Sequence, residues 1–220
     1  MCLSTPEERV SIISNGINDL MRSNNARKES SGSFQGLFVG ALSEGKGIFY
    51  ILKALRKVQA QGYPVCLNMA GIYSPFVQKQ ITEEYGDLQV NLLGRIPFEK
   101  LQRYYSESDF GVIASLQEQC SYAAIEMAMF GLPVVATAVD GLDELFTDGL
   151  DALKVNIKFS KVFGLSVDTD MLAEKIIALI KNANLRKQLS VNIRKLYLEK
   201  FTLGRMIQQT VNVYKEILHE

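Results

Sequence analysis

Apolar residues in this chain come in short runs separated by longer stretches of helical spacing, and the alternation starts at Phe34. Leu37, Phe38 and Val39 form one run between Gly36 and Gly40, and Ile48, Ile51, Leu52, Leu55 and Val58 then recur three or four apart across 47–61. The first pattern predicts a buried strand, the second an amphipathic helix. The pair repeats: a strand over 65–70 with a helix over 75–85, then a strand over 89–93 closed by Gly94 with a helix opened by Pro97. Proline at that place costs nothing, since the first N–H groups of a helix have no internal partner. A fourth strand over 109–114, a helix around 123–130, a fifth strand over 133–136 and a last strand over 152–155 follow. Short apolar strands joined by helices predict right-handed βαβ crossovers and an α/β fold, a parallel sheet with helices on both faces.

The flanks read differently. Val10 to Ile13 is a short apolar run that predicts a strand, ended by a turn through Ser14, Asn15, Gly16 and Ile17. Residues 22–33 are Ser- and Asn-rich with mixed charges, the composition of a linker. Past Asp151 the stretch 158–166 reads as a loop, and 168–182, 184–200 and 202–218 read as helices with Asp168 and Thr202 as N-caps. No internal repeat is present.

Composition narrows the chemistry. The 220 residues carry 24 basic and 24 acidic side chains, so no global charge favours nucleic acid or an anionic membrane as the main partner. Three cysteines, Cys2, Cys66 and Cys120, are too few and too far apart for a disulfide framework or a zinc site, which fits a reducing, cytoplasmic setting. The first nine residues lack the basic and apolar regions of a signal peptide, and no run is long enough to span a bilayer. The only histidine is His219, which excludes a histidine-based nucleophile triad within the chain.

Two segments carry candidate chemistry. The first strand runs into Gly40-Ala41-Leu42-Ser43-Glu44-Gly45-Lys46-Gly47, just ahead of a helix. Unpaired N–H groups at a helix start, the positive end of its dipole and Lys46 together suit a phosphate. The same residues also serve as a plain tight turn. They match G-x-x-x-x-G-K of the triphosphate-binding loop too, except that Gly47 stands where that motif needs a magnesium-binding hydroxyl. In the second segment, 115–131, Glu126 lies in a helix whose neighbours three and four away are Tyr122, Ala123, Met129 and Phe130. A carboxylate among apolar neighbours needs a partner. The hydroxyls of a sugar or ribose, a lysine from another helix, or solvent all satisfy that demand.

The spacing Glu118-x7-Glu126 followed by Ala128, Gly131, Pro133, Val134, Val135, Ala136 and Thr137 resembles the signature of group 1 (family 4) glycosyltransferases. Further pieces are similar and in the same order: Phe38-Val39-Gly40 with Lys46-Gly47, Gly94-Arg95-Ile96-Pro97, Ser108-Asp109, Gly141 with Glu144, and Asp148-Gly149. Residues 13–17 are similar to the end of the family's interdomain linker. The resemblance implies a Rossmann-like domain, the C-terminal, donor-binding half of a retaining enzyme of the two-domain GT-B architecture.

By that resemblance Glu118 is the candidate catalytic residue, touching donor-sugar hydroxyls, and Glu126 holds the ribose of the nucleotide. Backbone N–H groups near Ser121 and Tyr122 meet the diphosphate, Gly40 and Lys46 belong to the phosphate loop, and Arg95 and Ile96 lie near the base. No metal and no cofactor are implied; the substrate is a nucleotide diphosphate sugar. Expected partners are that donor, an unknown acceptor and a missing N-terminal domain, and the implied full-length enzyme is compatible with peripheral membrane association. The division expected is 1–33 as linker remnant, 34–200 as the nucleotide-sugar-binding domain and 201–220 as a helix packing back on the missing domain. The chain departs from the family pattern at Ala41, Ala114, Gln119-Cys120-Ser121 and Asp140. The departure at Ala41 keeps a non-catalytic nucleotide- or sugar-binding module as a rival reading, and Gly40 to Lys46, opposed by Gly47, keep a nucleotide hydrolase as a second.

Overall fold

Six of the apolar runs pair into one parallel sheet in the computed structural model, which describes residues 10–21, 33–162 and 164–219. The strands are β1 (Phe34–Val39), β2 (Val65–Ala70), β3 (Gln89–Gly94), β4 (Phe110–Ile113), β5 (Val134–Thr137) and β6 (Leu153–Val155), in the order β3-β2-β1-β4-β5-β6. All five pairings are parallel, for instance Phe38 with Met69 and Val112 with Val135. Parallel strands buried on both faces need no alternation of polar residues. That is why β4 and β5 are buried throughout.

The crossover helices are α1 (Ile48–Ala60), α2 (Pro75–Tyr85), α3 (Phe98–Glu107), α4 (Tyr122–Met129) and the short α5 (Asp140–Leu145). Three more follow the sheet: α6 (Thr169–Lys181), α7 (Ala183–Lys200) and α8 (Leu203–His219). One apolar cluster joins α1, α2 and α6 to one face of the sheet through Ile51, Leu52, Leu67 and Ile176. A second joins α3, α4, α5 and α7 to the other through Leu37, Ile125, Leu142 and Ile193. The Asp168 carboxylate caps α6 by accepting from the N–H groups of Asp170 and Met171, as its position in the sequence predicts.

Three expectations need correction. Residues 10–13 form no strand: Val10 and Ile12 are exposed, and none of the described residues pairs with their backbone. The contact of that arm is at Ile17, which bridges Thr202 and accepts from the Tyr197 hydroxyl at 2.9 Å, while Asp19 pairs with Arg194. The expected loop at 158–166 is instead an antiparallel hairpin, β7 (Ile157–Ser160) and β8 (Gly164–Val167). Its pairing of Ile157 with Val167 and Phe159 with Leu165 puts all four apolar side chains on one face. Ile157-Lys158-Phe159-Ser160 does alternate apolar with polar residues, but each strand is only four residues long, at the lower limit of such a signal. Finally, α5 forms between β5 and β6, where the sequence pattern predicts no element. The linker at 22–32 lies outside the described residues.

Ile207, Val211, Tyr214, Ile217 and Leu218 of α8 are exposed. No helix among the described residues is long and apolar enough to cross a membrane.

Candidate functional site

Between β1 and β4 the strand order reverses direction, and the loops leaving their C-terminal ends diverge there. Open α/β sheets bind ligands at that crevice. After β1 the chain passes Gly40, makes a single 3-10 turn over Glu44–Lys46, and enters α1 through Gly47 at φ 70°. Gly47 is required twice over: its φ is left-handed, and a Cβ there would stand 1.8 Å from the Ala114 carbonyl oxygen. The two loops are tied by the Leu116 N–H donating to the Gly45 carbonyl at 3.0 Å. On the other side the Gly141 N–H donates to the Glu118 carbonyl at 2.8 Å, and a Cβ on Gly141 would meet the Gln119 carbonyl at 1.8 Å. The segment 114–119 is thus clamped between the first loop and the start of α5, which fixes where Glu118 points.

A cavity of about 170 Å³ opens at this place, with Gly40, Lys46, Ser115, Glu118, Ser121 and Tyr122 in its wall. Lys46 Nζ donates to Glu118 Oε2 at 2.6 Å, and the Ser115 hydroxyl donates to the same oxygen at 3.2 Å. The Glu118 side chain is mostly buried, that of Lys46 over a third exposed. Ser121 caps α4 by accepting from the Ala124 N–H, leaving the N–H groups of Tyr122 and Ala123 at the open first turn. The positive pole of α4 therefore faces the cavity beside the one lysine in its wall. Such an arrangement suits an anion flanked by hydroxyl groups.

Glu126 sits one turn further along α4, on the same side of the helix as Tyr122. Its partner is a hydroxyl from another helix: Tyr105 of α3 donates to Oε2 at 2.5 Å. Burial pushes the Glu126 carboxyl above its ordinary range, and the Tyr105 hydrogen bond pulls it partly back. The same burial, with Glu126 beside it, drives the Tyr105 phenol well above its own range. A carboxylate whose folded pKa is raised makes folding less favourable as pH climbs from its unfolded value through the folded one, because the native state then binds more protons than the unfolded chain. Glu126→Gln is accordingly expected to be at least as stable as the parent at neutral pH, with the difference vanishing in acid below the ordinary carboxylate range. Urea denaturation of both at pH 4 and pH 7 checks this; a variant less stable at pH 7 than at pH 4, relative to the parent, contradicts it.

The structure thus brings together Gly40, Lys46, Glu118, Ser121 and Tyr122 of the predicted residues. Arg95 and Ile96 follow the end of β3, with Arg95 exposed and Ile96 packed on the α3–α4 core; neither they nor Glu126 line the cavity. Lys46 and Glu126 both lie at the C-terminal side of the sheet, after β1 and β4. Sequence reasoning did not foresee the Lys46–Glu118 pair, the part of Ser115, or Tyr105. A signal for Tyr105 existed: it shares the apolar stripe of α3 with Leu101, and a buried tyrosine needs a hydroxyl partner. Asp140, at φ 33°, is the one non-glycine residue with positive φ among those described, at the place where the family pattern has a glycine. A larger cavity of about 420 Å³ lies among Phe49, Tyr50, Lys53, Gln80, Glu84 and Tyr85, and none of the predicted residues lines it.

The fold and this cavity define a class, an open α/β domain with a cavity at the switch point of its sheet. Residues 33–182 match the family model of glycosyl transferases group 1, and the chain belongs to that family. An uncharacterized glycosyltransferase of Methanocaldococcus jannaschii is 26% identical over 224 aligned positions, which cover 96% of this chain and 55% of the relative. The chain thus spans about half the length of such relatives. A glycosyltransferase from Rickettsia africae superposes with a TM-score of 0.78 at 20% identity, over 97% of this chain and 58% of the other. HepE of Anabaena, solved in complex with UDP and glucose, superposes with a TM-score of 0.71 at 19% identity, over 83% of this chain and 48% of the other. The sheet is the Rossmann-like one that the sequence implies. Family membership sets aside the nucleotide-hydrolase reading, which the missing hydroxyl at Gly47 already opposed.

Proposed function

We propose that this chain is the donor-binding half of a retaining glycosyltransferase that takes a hexose or related sugar from a nucleoside diphosphate. The observation that carries this reading is the meeting of Lys46, Glu118 and the start of α4 in one cavity at the switch point. A diphosphate seated on the N–H groups of Tyr122 and Ala123 would draw Lys46 to itself. Glu118, released from that ion pair, would accept from the hydroxyls of the sugar. The free chain holds the cation and the carboxylate against each other, so neither is left unpaired before the donor arrives. As the sugar departs, charge grows on the diphosphate, and Lys46 and the helix pole would stabilise it. Glu126 would hold the ribose, with Arg95 and Ile96 toward the base. The structure of HepE with UDP and glucose supports the choice of ligand class.

In this reading the remaining half of the enzyme supplies acceptor contacts and the wall that excludes water, and α8 packs against it. The isolated chain then binds donor weakly and does not turn over. A cytoplasmic setting belongs to the same proposal, supported by Cys66 and Cys120 as free thiols. No metal takes part, because Lys46 and α4 supply the positive charge. Titration calorimetry with a panel of nucleoside diphosphates, with magnesium and with a chelator, tests the reading. The expected result is binding in the micromolar to millimolar range that is unchanged by the chelator. Binding that requires magnesium, or none with any diphosphate, overturns it.

A further inference from the structure

We propose that Tyr105 is a positioning residue for the nucleotide's ribose: its hydroxyl claims one oxygen of Glu126 and so turns the other toward the ribose diol. The inference rests on the reading of Glu126 as the ribose ligand. Its physical basis is the rigidity of the donor. The Tyr105 ring is 1% exposed and stacks on Phe130 with centroids 5.2 Å apart and planes 11° from parallel. Two neighbours, Leu101 on its own helix and Phe130 on the next, belong to the same apolar cluster. A hydroxyl on so fixed a ring has one place to donate, and Glu126 Oε2 occupies it at 2.5 Å.

The other Glu126 oxygen, Oε1, accepts no hydrogen bond among the described residues, and it is not sealed from solvent. A free glutamate carboxylate rotates among several wells and loses that freedom on binding a ligand. Here the loss is already taken in the folded chain. One oxygen is held, and the other keeps two lone pairs to accept with; Glu126 lies one helical turn beyond Tyr122, which lines the cavity, and is not itself in the wall. Groups on the surrounding elements do not compete. Arg194 on α7, the nearest helix across α4, is engaged by Asp19 at 2.5 Å and by the Met129 carbonyl at 2.6 Å. The Tyr197 hydroxyl of the same helix donates to Ile17. The bond to Tyr105 also favours the ionised, accepting form of Glu126 against its burial.

The test uses UDP and its 2′,3′-dideoxy analogue as probes of the chain, with Tyr105→Phe, Glu126→Gln and the double variant measured by calorimetry. Tyr105→Phe keeps the ring and its stack, so the fold is retained. The parent is expected to prefer UDP over the analogue. Tyr105→Phe is expected to weaken UDP roughly tenfold, about 1.4 kcal/mol, while leaving the analogue's affinity unchanged. The double variant should then lose no more than Glu126→Gln alone, as expected of a residue that acts through another. Equal weakening of both probes by Tyr105→Phe, or of neither while Glu126→Gln abolishes the preference, reduces Tyr105 to packing and overturns the inference alone. A parent that does not prefer UDP, or a Glu126→Gln variant that keeps the preference, overturns the ribose reading with it.

Discussion

Replacing Glu118 by glutamine in the full-length enzyme should lower kcat by roughly tenfold to a hundredfold and raise KM far less, the effect of losing a charge-assisted hydrogen bond of about 1.5–3 kcal/mol. The carboxylate lies at the cavity wall, mostly buried, with Lys46 at 2.6 Å and Ser115 at 3.2 Å on the same oxygen. Contacts to the sugar ring should tighten as the glycosidic bond breaks, so their loss is felt in the transition state more than in the ground state. Glutamine also frees Lys46 from its present partner. Affinity for a nucleoside diphosphate alone should therefore hold or improve while turnover falls, a combination that general damage to the site would not produce. Glu126→Gln should behave in the opposite sense, raising KM with less change in kcat, because ribose contacts are alike in both states. Steady-state kinetics of the two variants beside diphosphate binding decide the matter. If both keep kcat/KM within about twofold of the parent, against a factor of ten per 1.36 kcal/mol, the roles given to the two glutamates are wrong.

The second large effect is structural. Gly47→Ala is expected to cost roughly 2–5 kcal/mol of stability, from a left-handed residue that now bears a Cβ and from overlap with neighbouring backbone. The overlap is with the Ala114 carbonyl, 1.8 Å from the Cβ position, at a φ of 70°. Because the obstacle is backbone, it cannot swing aside as a side chain would. Relief requires the first loop to draw away from 114–116, which strains the Leu116 to Gly45 hydrogen bond and shifts Lys46 relative to Glu118. A domain of ordinary stability has about 5–15 kcal/mol to lose, so the variant should denature at markedly lower urea and bind nucleotide poorly. A loss under about 1 kcal/mol with unchanged binding would show that the loop accommodates a side chain, contrary to the geometry.

The central strands were legible because β4 and β5 are buried throughout and so read as apolar runs. The helices were legible from spacing and caps: Pro75 inside the first turn of α2, and Asp168 ahead of α6. Where the signal was one of local apolarity alone, it failed. Val10 to Ile13 has the composition of a strand and lies exposed, since a strand exists only through a partner. The hairpin β7–β8 pairs two neighbouring segments, yet each strand is only four residues long, too short for its alternation of apolar and polar residues to stand out from a loop. Asp140 shows the same limit at a single residue. Its departure from the family's glycine is plain in the sequence, but only the backbone shows that a side chain is held at φ 33° there.

Sequence by itself determined the fold class and placed Lys46 and the two glutamates in the segments that follow β1 and β4, because spacing and glycine placement are local properties of the chain. The distant partners of those residues were decided by tertiary structure alone. Lys46 and Glu118 are 72 positions apart and meet only because β1 and β4 are neighbours at the switch point. Tyr105 and Glu126 meet because α3 and α4 share one face of the sheet. Ser115, three residues before Glu118, is a local partner, but the lysine opposite Glu118 and the hydroxyl opposite Glu126 come from distant segments. That choice is made by which strands pair, a long-range event whose outcome sets every distance in the site.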